Sequence, residues 1–285
     1  MASELTKRVA VAAVGVPIAV LILYVGGWIM AVALAAIAAG GAHEFYRLAR
    51  QRGVRPFAGA GAVLAGVPVL LAGATPHAEV WTLRIFIAAM LLIAAAAIFR
   101  RGVDGSPLTV MAVTVFGALF TGGTLLYAML LRLTPVPGAS TDWHGWVGPA
   151  LLAFPMTLTW MGDTFAYFGG RAFGRRKLIP SISPAKTVEG AVAGVIGTTV
   201  VGALYAYFVF GAWLGVPVSA GAGALIGLVV SPIAQTGDLV ESLLKREAGV
   251  KDSGTLLPGH GGVLDRFDAL FLTIPVTYWL LMLVL

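Results

Sequence analysis

The sequence predicts an all-α, polytopic integral membrane protein, a bundle of about nine transmembrane helices with its N-terminus cytoplasmic and its C-terminus outside. Three observations lead there. Hydrophobic residues make up 59% of the 285-residue chain and charged residues only 11%, against about 25% charged residues in soluble domains. Apolar runs recur at about the 20-residue length that a helix needs to cross the hydrocarbon. No strand-like alternation accompanies them, and lipid admits only structures that satisfy their own backbone groups, so helices are the remaining choice.

Taken in order, the spans fall at 9–25, 28–46, 57–74, 81–99, 108–131, 147–169, 188–212, 216–237 and 264–285. Lys7 and Arg8 precede an apolar run in the manner of a signal peptide, but the run continues to Tyr24 without a polar cleavage region, which marks a retained first span. A neutral Gly26-Gly27 break leads to the second span, which closes on Arg47, Arg50, Arg52 and Arg55. The connection around Pro76 is neutral, and the next carries Arg100 and Arg101. Arg132 stands alone after the fifth span; Arg171, Arg175, Arg176, Lys177 and Lys186 follow the sixth. The connection near Pro217 is neutral, and Lys245, Arg246 and Lys251 precede the last span. Basic and neutral connections therefore alternate, and the excess of Lys and Arg on the cytoplasmic side sets the orientation.

The net charge of +6 is read as a topology signal, and no nucleic-acid partner is expected. The absence of cysteine excludes disulfides and thiol chemistry. No internal repeat is evident. The chain is expected to form one integral membrane domain over 1–285, with N-terminal spans in 1–146 and catalytic spans and loops in 147–285.

Chemistry is concentrated in two polar connections expected on the cytoplasmic face. Asp163 lies within the sixth span, where a carboxylate costs about 2.5–3.5 kcal/mol on insertion scales and so marks a site or an interfacial ion pair. In the sequence SPAKT, Ser183 and Thr187 offer hydroxyls and Lys186 a cation just ahead of a helix. Such a set suits phosphate; it equally suits an ordinary N-cap by Thr187 with Glu189 in the first turn. Glu44, near the end of the second span, reads as the partner of Arg47 or Arg50.

Asp238, Glu241, Ser242 and Lys245 share one helical face by their spacing. After them comes LLPGHGG, whose glycines let backbone approach a ligand, and then Asp265 and Asp268, three residues apart and expected to face one volume. Carboxylates that close require a cation or a basic group. Oxygen ligands beside phosphates favour Mg²⁺, with Asp238 as a third carboxylate; Arg266 and Lys251 are the metal-free alternative. His260 is expected to contact phosphate, since no positioned nucleophile makes a triad with it.

These residues resemble the signature of the phosphatidate cytidylyltransferase (CDP-diacylglycerol synthase) family. Ser242, Lys245, Arg246, Lys251, Asp252, His260, Gly261, Gly262, Asp265, Arg266 and Asp268 fill its distal block, and Asp163, Ala166, Tyr167, Ser183, Pro184, Lys186, Thr187, Glu189 and Gly190 its proximal one. The resemblance implies a homodimeric enzyme of the cytoplasmic (inner) membrane, with its active site facing the cytoplasm. It would transfer CMP from CTP to phosphatidic acid with Mg²⁺, giving CDP-diacylglycerol and pyrophosphate. It also implies Asp265 and Asp238 as metal ligands, with a monovalent cation such as K⁺ as a second metal. Lys186, Lys251, His260 and Arg266 are then expected to be catalytic, and Asp163, Ser183, Thr187, Ser242, Lys245, Arg246, Gly261 and Gly262 to bind substrate. A secondary transporter and another membrane lipid-phosphate transferase are the alternatives.

Overall fold

The computed structural model describes residues 15, 17–75, 77–139, 144–254 and 261–285. Helices dominate among them: α1 over 17–25, α2 Gly27–Gln51, α3 Ala58–Ala72, α4 Ala78–Arg100, α5 Pro107–Leu133, α6 His144–Phe173, α7 Val188–Trp213, α8 Ala220–Glu247, α9 Leu264–Phe267 and α10 Leu270–Met282. Five of the described helices, α2, α4, α5, α7 and α8, are long and apolar enough to cross a bilayer. The protein is thus a mostly helical membrane protein, as its composition predicts. The α1–α2 break falls at Gly26 and Gly27, whose φ values of 63° and 53° belong to the left-handed region that glycine enters without a Cβ penalty.

Two compact units emerge, one of residues 1–129 with 244–267, the other of residues 130–243 with 268–285. In the first, α2 packs on α3 and α5 through close backbone approaches. Gly61 and Gly117 leave room for the buried Tyr46 ring, and Gly122 lies against the Ala65 backbone where α5 widens into a π turn over Leu119–Gly123. Tyr46 Oη donates to the Thr114 carbonyl at 2.6 Å, and Thr114 Oγ1 accepts from Phe57 N at 3.0 Å just ahead of α3. Each such bond contributes on the order of 1 kcal/mol net. With 15 residues, α3 is about 22 Å long, short of the roughly 30 Å hydrocarbon core.

In the second unit, α6 and α7 meet along Gly162, Gly169 and Gly170, whose missing side chains admit Thr198, Ala193 and Thr187. α7 and α8 cross at Gly202, Gly223 and Gly227, with backbone on backbone, the close approach that small residues permit in lipid. Thr159 Oγ1 donates to Thr273 Oγ1 at 3.1 Å, joining α6 to α10.

Two departures from the expected spans bear on function. The connection after α6 is a short antiparallel ribbon, β1 Lys177–Ile179 with β2 Ser183–Thr187, pairing Lys177 with Thr187 and Ile179 with Ser183 around an irregularity. Pro180 and Pro184 steer the residues before them away from helix, and a proline is tolerated in an edge ribbon at such an irregularity. The expected final span at 264–285 is interrupted between α9 and α10, where Asp268 Oδ1 accepts from its neighbour Ala269 N at 2.7 Å. Local side-chain bonding of this kind competes with the helical ladder.

Candidate active site

In the second unit, α6, the ribbon, α7 and α8 surround a pocket of about 410 Å³ lined by Asp163, Tyr167, Lys186, Thr187, Gln235 and Asp238, among others. β2 carries Lys186 to its place as an extended strand, and the strand ends where Thr187 caps α7 by accepting from Gly190 N at 3.1 Å. Glu189, in the first turn of α7, accepts from Arg175 N at 2.9 Å and Arg176 N at 3.2 Å, which fixes the chain leading into the ribbon. The capping reading of Thr187 and Glu189 therefore holds, and Thr187 lines the pocket as well.

Lys186 Nζ lies 2.6 Å from Asp238 Oδ2, while Ser242 Oγ donates to Asp238 Oδ1 at 3.4 Å, one turn along α8. Gln235 Nε2 donates to the Ala191 carbonyl at 3.2 Å and ties α8 to α7 beside them. Asp238 belongs to a cluster with Glu241 and Asp268 in which carboxylate oxygens all lie within 4.8 Å of one another. Gly237 makes the cluster possible. A Cβ there would stand 2.8 Å from Ala269 Cα and 2.9 Å from the Asp268 carbonyl, so only glycine lets the 268–269 turn sit this close to α8. Glu241 is 3% exposed. Three carboxylates gathered around a partly buried volume repel one another unless a cation offsets them. An all-oxygen set fits Mg²⁺ better than zinc, which favours nitrogen and sulfur.

The first unit holds the other half of the charged segment. Asp265 Oδ2 accepts from Ser253 N at 2.9 Å, Ser253 Oγ at 3.0 Å and Gly262 N at 2.8 Å, and Oδ1 pairs with Lys245 Nζ at 2.8 Å. Gly261, at φ 78°, lies so close that a Cβ would come within 2.6 Å of that carboxylate. Behind Asp265, the buried Glu44 accepts from Ser253 Oγ at 2.9 Å, Val263 N at 3.0 Å and Leu264 N at 2.9 Å, and Arg47 donates to the Ser253 carbonyl. Two carboxylates thus hold Ser253 on one side and Gly262, Val263 and Leu264 on the other.

The structure distributes the expected site residues as follows. Asp265 is bonded to Lys245, Ser253 and Gly262, while Asp268 clusters with Asp238 and Glu241. Of the expected metal ligands, Asp238 and Asp268 fall in one cluster among the described residues, with Glu241 as its third member. Lys245 pairs with Asp265. Glu44 anchors the signature segment instead of pairing with Arg47 or Arg50, a role that sequence reading missed; its one local signal was a carboxylate within an apolar helix. Arg246, Lys251 and Arg266 are exposed, Ser183 is half-buried opposite Ile179, and His260 lies outside the described residues.

A model of the cytidylyltransferase family matches residues 6–284 of the chain. Among curated proteins, the phosphatidate cytidylyltransferase of Synechocystis sp. is 34% identical over 300 residues, covering 98% of this chain and 97% of that one. Phosphatidate cytidylyltransferase 4, chloroplastic, of Arabidopsis thaliana is 32% identical over 296 residues, covering 97% and 73%. The phosphatidate cytidylyltransferase of Bacillus subtilis is 44% identical over 134 residues, covering 47% and 48%.

Proposed function

The chain belongs to the cytidylyltransferase family, and from that premise we propose that it transfers the cytidylyl group of CTP to phosphatidic acid. A phosphate oxygen of the lipid attacks the α-phosphorus of CTP, the α–β anhydride bond breaks, and CDP-diacylglycerol and pyrophosphate leave. The observation that carries this reading is the pocket in which Lys186 meets Asp238 beside the Asp238, Glu241 and Asp268 cluster. It combines an anion-binding cation with an acidic set at the end of a membrane helix.

Both reactants are anionic, so their mutual repulsion is the main obstacle. A phosphate monoester with a second pKa near 6 is largely dianionic at neutral pH, and no strong general base is needed. Catalysis rests on placement and charge neutralisation. Lys186 exchanges its hold on Asp238 for a triphosphate oxygen. Thr187 accepts from Gly190 N and so keeps its hydroxyl proton for donation to phosphate. Lys251, Arg246 and Arg266 supply exposed cations, His260 donates to phosphate, and Ser183 orients β2. Asp265 holds Lys245 and the Gly261–Gly262 backbone in a fixed arrangement. Asp238, Glu241 and Asp268 would hold Mg²⁺, with a monovalent ion such as K⁺ as a second cation. Bound there, Mg²⁺ screens the triphosphate and stabilises departing pyrophosphate.

The same reading places the enzyme in the cytoplasmic (inner) membrane as a homodimer of nine-span protomers, N-terminus inside and C-terminus outside. The alternation of basic and neutral connections supports that orientation. One assay tests the activity: purified protein with phosphatidic acid vesicles and each of four labelled nucleoside triphosphates, with and without Mg²⁺. CTP and Mg²⁺ together are expected to give labelled lipid and pyrophosphate in equal amounts. Labelled lipid from another nucleotide, or none from CTP, removes the proposal.

A further inference from the structure

The arginines of the α2–α3 and α4–α5 connections lie outside the catalytic reading. The α2–α3 and α4–α5 connections enclose a pocket of about 520 Å³ to which Arg52, Arg55, Arg100 and Arg101 all contribute. Among its described lining residues, Asp104 is the single carboxylate. Four arginines lining one concavity gather like charge, and an anion is what such a lining accommodates.

The cradle is built rather than incidental. Arg101 donates through Nη2 to the Arg55 carbonyl at 2.7 Å and lies over the Phe57 ring, 4.9 Å from its centroid. Its Nε is buried and has no hydrogen-bond partner among the described residues, a donor left without an acceptor. The first turn of α5 supplies further donors. Ser106 turns into it at φ 49° without a side-chain cap, and Pro107 occupies the first helical position. Ser106 and Thr109 both line the pocket, and first-turn N–H groups of a helix favour a phosphate.

The surroundings identify where that phosphate comes from. Phe99, Val103 and Leu108, which flank the lining residues in sequence, are 86%, 91% and 77% exposed. Apolar side chains that open are at home against acyl chains, as is α4, a candidate span only 22% buried. Both connections belong to the basic set proposed to face the cytoplasm, where anionic lipid headgroups concentrate.

We propose that Arg52, Arg55, Arg100 and Arg101, with the first turn of α5, bind the phosphate headgroup of an anionic phospholipid, while Phe99, Val103 and Leu108 contact its acyl chains. The lipid is a bound modulator and undergoes no reaction there. Native mass spectrometry of the full chain, released from vesicles of equimolar phosphatidylcholine and phosphatidylglycerol, tests this. Phosphatidylglycerol carries a phosphodiester, so it offers no monoester to the cytidylyl transfer. The wild type is expected to retain phosphatidylglycerol over phosphatidylcholine by at least tenfold. Arg52→Gln/Arg100→Gln, which alters two exposed side chains, should lose that preference, with Arg52→Gln alone intermediate. Lys186→Ala should keep it, and millimolar glycerol phosphate or inorganic phosphate should leave it unchanged. Equal retention of both lipids by the wild type, or an unaltered preference in the double variant, overturns the site. Displacement by inorganic phosphate overturns the lipid assignment.

Discussion

Glu44 shows how much one buried carboxylate organises. It is 6% exposed and accepts three hydrogen bonds, from Ser253 Oγ, Val263 N and Leu264 N. In Glu44→Gln one oxygen becomes an NH₂ group that meets N–H or O–H donors, leaving buried donors unsatisfied at about 1–3 kcal/mol. A lower melting temperature in detergent and an activity loss of tenfold or more are expected; unchanged values for both would remove Glu44 as the anchor. For Lys186→Ala, kcat/KM for CTP should fall more than tenfold, about 1.4 kcal/mol, with the melting temperature held within a few degrees. Lys186, Asp238 and Asp268 could be singled out because each lies in a short polar stretch between apolar runs. Glu44 was not, since its partner Ser253 is 209 positions away and hydrophobic periodicity carries no trace of such a pairing.

At the scale of elements, the helices were readable and their interruptions were not. Apolar length located α4, α5 and α7 to within a few residues, while α2 and α8 run on past the expected spans to Gln51 and Glu247. The ribbon that carries Lys186 and the break between α9 and α10 depend on prolines and on the Asp268 side chain bonding its own backbone, contingencies that average hydropathy erases. Gly237 is where two elements become one site. Gly237→Val would drive a branched side chain into Ala269 Cα and the Asp268 carbonyl, and overpacking of this kind costs roughly 1–3 kcal/mol. Separating Asp268 from Asp238 and Glu241 should raise the Mg²⁺ concentration for half-maximal activity at least tenfold. A Mg²⁺ titration that superimposes on the wild type argues against the cluster as a cation site.

Across the whole molecule, topology is the property most open to direct measurement. The chain has no cysteine, so single substitutions report without background. Ser219→Cys, in the neutral connection before α8, should react with a membrane-impermeant maleimide in intact cells. Lys177→Cys, on exposed β1, should react only after permeabilisation. The reverse pattern would invert the orientation and place the basic connections outside. Charge alternation is what the proposed orientation rests on, whereas the division into two units, each assembled from two separated stretches of chain, left no compositional mark.

That discontinuity has a cost in time during biogenesis. Glu44 leaves the ribosome 209 residues before Ser253, and at synthesis rates of about 5–20 residues per second the delay is roughly 10–40 s. Throughout it, an ionisable group near the end of α2 has none of the Ser253, Val263 and Leu264 donors that later surround it. The nascent helix must therefore wait with that end hydrated at the membrane surface, or shielded by the insertion machinery, until Ser253, Val263 and Leu264 emerge to meet it.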